Sequence, residues 1–176
     1  MPTAKSKSFS NKRDHLGEPK FFAHEPDHLD EMVEGNPICE NNPQIRGGRT
    51  GSRAAVVQAL YESDSSGHPA VATVKRLTKE RELTVEDIDF ATRLVKICED
   101  QRGHLDSRIS EIASQYPSEQ MPLVERNILR VAIAELEMTD AAPESVVANE
   151  AVELARLFGS NSSPKFINGV LGALLG

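Results

Sequence analysis

The chain has 176 residues, 39% of them hydrophobic and 27% charged, with a formal net charge of −7. That length supports one well-buried domain, or two small sub-bundles sharing a core. The acidic balance excludes broad, nonspecific binding of polyanions, so any nucleic-acid site must be local and small.

Residues 1–45 differ from the rest. Lys5, Lys7, Lys12, Arg13 and Lys20 come first, an acidic run over 25–40 follows, and Pro19, Pro26, Pro37 and Pro43 break any helical period. Such a stretch buries too little apolar surface to offset its ordering entropy, so a disordered, flexible extension is expected. Met1 and the nine residues after it lack the apolar centre of an export signal. The most apolar run, 166–175, is far short of the ~20 residues that span a bilayer. A cytoplasmic protein without membrane contact is therefore expected. Cys39 and Cys98 sit in unlike settings and are read as free thiols of a reducing compartment.

From residue 46 onward the period becomes helical. RAAVVQALY (53–61) carries Ala, Val and Leu at helical spacing. Pro69 opens a second helix with Val71, Val74 and Leu77 on one face. Thr84, with Asp87 three residues later, marks the cap of a third. Apolar residues then recur through Ile112, so one long helix is expected to reach Tyr116-Pro117, with Gly103 tolerated at ~1 kcal/mol. A fourth helix starts at Pro122. A fifth follows Pro143 and stops at Gly159. The last is capped by Asn161-Ser162-Ser163, with Pro164 at its first position. Six helices and no strand give an all-α fold, in a helical domain over 46–176.

Signatures of chemistry are missing. Gly47-Gly48-Arg49-Thr50-Gly51 lacks both the preceding strand and the Gly-Lys-Ser/Thr ending of a phosphate loop. His24 and His28 are four apart but fall in the extension, and no other histidine pair shares a helix face. Glu86, Asp87 and Asp89 lie at a helix start, where the dipole already accounts for them. Neither enzyme activity, nor cofactor, nor metal is expected.

Four segments, RAAVVQALY (53–61), LVERNILRVAIAEL (123–136), VVANEAVELARLFG (146–159) and KFINGVLG (165–172), together resemble the NusB family of transcription antitermination factors. Their order and spacing match as well, over about residues 46–176. The resemblance implies a NusB-like fold of two packed three-helix bundles. It implies an adapter that binds boxA RNA with the ribosomal protein NusE and reaches the RNA polymerase elongation complex indirectly, chiefly in ribosomal RNA transcription. It leaves homodimerisation open.

The resemblance also implies site residues. RNA is expected near the start of the first helix, at Arg46, Arg49 and Arg53, because guanidinium forks suit phosphates. Thr50 and Gly51 occupy positions that the family often fills with arginine. Tyr61 is placed to stack on an unpaired base. Lys165 and Phe166, with Ser162 before them, are expected to meet RNA at the start of the last helix, and Glu125 to face NusE. Plain alternatives stand beside each: a solvated helix start, a core-edge tyrosine, a packed phenylalanine, and an acid that complements the helix dipole. Arg130 and Glu135 read as internal ion-pair partners, Asn149 and Glu150 as bridges between helices, and Gly169 as a close-packing point. The acidic run over 25–40 could fold over Arg46, Arg49 and Arg53. A protein-only scaffold that lost RNA affinity is the second functional reading.

Overall fold

The computed structural model describes residues 47–114 and 120–176, and among them every regular element is a helix. Arg46, Cys39, the His24–His28 pair and the acidic run lie outside the described residues.

The helices are α1 (Gly48–Ser66), α2 (Ala70–Glu80), α3 (Val85–Asp100), α4 (Arg102–Ile112), α5 (Leu123–Leu136), α6 (Glu144–Phe158) and α7 (Ser163–Leu175). Local chemistry sets most boundaries. Gly67 ends α1 in the left-handed region, at φ 75°, and its N–H returns to the Ser63 carbonyl. Thr84 caps α3 as expected: its hydroxyl accepts from the Asp87 N–H at 3.2 Å and donates to the Asp87 carboxylate at 2.8 Å. Pro164 falls at the second position of α7, one later than expected, after Ser163.

The expected long third helix is two helices. Its regular backbone breaks at Gln101, with φ −108° and ψ 17°. Glu99 and Asp100 put negative charge at a C-terminal end that repels it, and Gly103 weakens the turn beyond. The apolar period continues across the break because Leu105 and Ile109 serve the same core as Leu94 and Cys98. Among the described residues seven helices therefore stand where six were expected.

α1, α2 and α3 pack against one another, and α4 to α7 form a second group. α5 touches both, meeting α1 and α3 on one side and α4, α6 and α7 on the other. It is accordingly buried nearly all round, from Asn127 through Glu135, including the charged Arg130 and Glu135. Cys98 lies in the same interior, where burial pushes its thiol pKa up to about 12. A thiol held protonated in this way is unreactive.

Gly169 does not mark close packing. It is exposed midway along α7, and a Cβ built on it would meet nothing within 4 Å. Gly169→Ala should therefore stabilise the fold by about 0.5–1 kcal/mol, through helix propensity alone. Urea unfolding of the two proteins measures this, and a destabilised variant would contradict the open placement.

Candidate nucleic-acid interface

The first turn of α1 presents Arg49 to solvent. Its guanidinium carbon lies 4.1 Å from the centroid of the Phe90 ring, a cation–π distance. Phe90, on α3, is fully buried. The ring thus restricts Arg49 while leaving it accessible. Nearby, Arg93 grips Asp140 with two bonds of 3.0 and 2.9 Å. That hydrogen-bonded pairing holds the Asp140 carboxyl below its ordinary pKa, with Arg49 adding a smaller charge effect.

Arg53 is one turn further and faces inward. Only 3% of the residue is exposed. Its Nε and Nη2 each donate to Glu135 at 2.6 Å, and its Nη1 donates to Glu150 at 3.2 Å. Burial alone would lower the guanidinium pKa, but the bonds and charge of Glu135, with Glu150 behind, raise it above its usual value. The expected exposed phosphate contact is therefore an internal anchor tying α1 to α5 and α6. The reason is positional: Arg53 lies on the stripe that also buries Val56, Val57 and Leu60.

Glu125 is also inside, at 7% exposure, where the Ser163 hydroxyl donates to it at 2.5 Å. The expected partner-facing acid instead joins the start of α5 to the start of α7. α5 thus anchors two helix starts, that of α7 through Glu125 and that of α1 through Glu135. Ten residues at a rise of ~1.5 Å set these anchors about 15 Å apart along the axis.

Around the α7 start, Lys165 and Ser162 are exposed and Phe166 is half-buried against the core. Ser162 makes no capping bond and lies 3.0 Å from the Ser160 hydroxyl. Ser163, its neighbour, accepts from the Ser160 N–H at 2.7 Å and is the residue that fixes the turn. Tyr61, 44% exposed, is on α1 about 18 Å along the axis from Arg49. Twelve residues also rotate it by a third of a turn, so the two side chains do not share a face. Thr50 is half-buried and Gly51 buried.

Two features were not legible in the sequence. Phe90 carries no local signal that pairs it with Arg49. The second is a charge cluster on Asp64, whose side chain is 4% exposed. It accepts from Arg130 at 2.8 Å, from Asn127 at 3.1 Å and, in a short contact, from Arg102. Arg126 approaches to 3.7 Å. Arg130 also forks onto Asp106 with two bonds of 2.7 Å. Arg130 and Glu135 are indeed internal, as expected, but each pairs elsewhere and not with the other. Glu150 does bridge helices.

Known proteins are similar to this chain in sequence and fold. Residues 50–175 match the family model for the NusB family. The Transcription antitermination protein NusB of Dehalococcoides mccartyi (strain CBDB1) is 44% identical over 126 residues, covering 72% of this chain and 88% of its own length. That of Roseiflexus castenholzii (strain DSM 13941 / HLO8) is 40% identical over 125 residues, covering 70% and 88%. Among solved structures, T. maritima NusB superposes with a TM-score of 0.66 at 26% identity, over 71% of this chain and 88% of that one. A chain from the crystal structure of antitermination factors NusB and NusE in complex with dsRNA gives 0.64 at 28% identity, over 72% and 94%.

Proposed function

This chain belongs to the NusB family, and on that premise we propose that it is a transcription antitermination factor that binds boxA-like RNA together with the ribosomal protein NusE. The observation that carries the reading is the likeness to the NusB of a NusB–NusE complex with RNA. The protein works in the cytoplasm by binding alone and supports ribosomal RNA transcription. It contacts the RNA polymerase elongation complex through its partners.

Within this reading Arg49 meets phosphate, Tyr61 stacks on an unpaired base, and Lys165, Ser162 and Phe166 hold RNA at the α7 start. Arg46, just before α1 in the sequence, supplies a further guanidinium for phosphate. Arg53 and Glu125 act as positioning residues that hold α1 and α7 in place. NusE completes the surface.

A protein-only scaffold is the second reading, favoured by Thr50 and Gly51 at positions where arginines are common and by the inward Arg53. Fluorescence anisotropy of a boxA-containing RNA, with and without NusE at two salt concentrations, separates the two. The adapter should bind in a salt-sensitive way and more tightly with NusE. Arg49→Glu and Lys165→Glu should each weaken binding and lower the log–log salt slope by about 0.7 for a single strand. Absence of binding even with NusE would favour the scaffold.

A further inference from the structure

A groove of about 690 Å³ runs between the last turns of α6 and the first turns of α7. It lies beside the proposed RNA contacts but is formed largely by other residues. Two cations, Arg156 and Lys165, line it and no carboxylate does, in a chain whose net charge is −7. Arg156 is also ion-paired with the exposed Glu153, one turn earlier on α6. Asn161 and Asn168 contribute side-chain amides, each both donor and acceptor, and Pro164 contributes an apolar wall.

The groove owes its shape to the turn that joins the two helices. A Cβ on Gly159 would lie 2.5 Å from both the Cβ and Oγ of Ser163, and 2.8 Å from the Ala155 carbonyl. Only glycine permits that approach. Ser163 is in turn bonded to the Ser160 N–H and to Glu125. The turn at the base of the groove is thus fixed by the interior, while Arg156, Asn161, Lys165 and Asn168 around it are exposed.

We infer that this groove takes one nucleotide of single-stranded RNA, with Lys165 and Arg156 meeting its phosphate and Asn161 and Asn168 reading its base edge. The inference rests on the RNA-binding reading for the source of that nucleotide. Its volume falls in the range of roughly 300–1,000 Å³ typical of small-ligand sites, well beyond what a bare phosphate fills. Unstacked bases are recognised by hydrogen bonds to their edges, which side-chain amides can both donate and accept. A free mononucleotide has the same chemistry, so the test includes one.

Side-chain amide signals of the full chain are followed by NMR during titration with uridine and adenosine 5′-monophosphates, with inorganic phosphate as control. In parallel, RNA anisotropy with NusE compares the wild type with Asn168→Trp, which fills the groove, and Arg156→Glu. Circular dichroism checks that both variants fold, as their exposed positions allow. The expected result is that mononucleotides, but not phosphate, shift the Asn161 and Asn168 amides, and that each variant weakens RNA binding about tenfold or more. Wild-type affinity in both variants overturns the inference while leaving the RNA reading intact. Equal shifts with phosphate overturn it in favour of a simple anion site. Failure of the wild type to bind RNA, with amide shifts from mononucleotides alone, sinks the RNA reading and keeps the groove as a nucleotide site.

Discussion

Glu135→Ala should destabilise the protein by about 3–5 kcal/mol, because it leaves the Arg53 guanidinium buried without its main counter-charge. Glu135 is fully buried and Arg53 nearly so, and the two meet through parallel bonds of 2.6 Å. Glu150 alone would remain, at 3.2 Å and at the edge of the interior. Against a typical total of about 5–15 kcal/mol, that loss is large, and it corresponds to roughly 10–20 °C in melting temperature. Arg53→Ala should cost a similar amount for the converse reason. The double replacement Arg53→Met with Glu135→Leu should recover much of the loss, since neither charge is then stranded. A thermodynamic cycle over the three variants tests this. Additive single losses, or losses below about 1 kcal/mol, would show that the pair is not coupled as the geometry requires.

The same cycle bears on function. Arg53 sits one turn after Arg49 and shares the Phe90 ring with it, at 5.6 Å. Loosening Arg53 therefore frees the first turn of α1, and RNA affinity should fall even though Arg53 itself touches no solvent to speak of. A residue that reads as a nucleic-acid contact by type is thus an internal anchor beneath the first turn of α1.

Much of the fold was legible because its signals are local. Thr84 with Asp87, Pro69, Pro143 and the stripe of Val147, Ala151 and Leu154 each announce an element within one or two turns of chain. The break at Gln101 was not, because the core-facing period runs through it without interruption. The site was less legible still. Arg53 and Glu135 are 82 residues apart, and Glu125 and Ser163 are 38 apart. A charged residue on a helix reads as solvent-facing until the partner that permits its burial is known, and that partner comes from tertiary packing. Gly169 misled for the opposite reason: a glycine in a helix suggests crowding, yet its side of α7 is open.

Asp64 should be the second point of failure. Burial on its own would raise its pKa, but the Arg102 hydrogen bond, the Arg130 charge and the Asn127 amide together hold it below the ordinary carboxylate value. A depressed folded-state pKa contributes stability that is complete above the unfolded value of ~3.9 and disappears as pH falls through the folded one. Asp64→Asn removes that contribution and turns amide protons toward arginine donors, so about 3 kcal/mol or more should be lost near neutral pH. Arg130 keeps Asp106, but Arg102 and Arg126 lose the carboxylate between them. The stability gap between wild type and variant should then narrow as pH drops below about 4, where the unfolded chain takes up a proton that the folded carboxylate still excludes. Melting temperatures across pH 3–7 give the answer. A gap that stays constant through that window would mean that Asp64 acts by packing and not by charge, and the three arginines gathered on it would need another counter-ion.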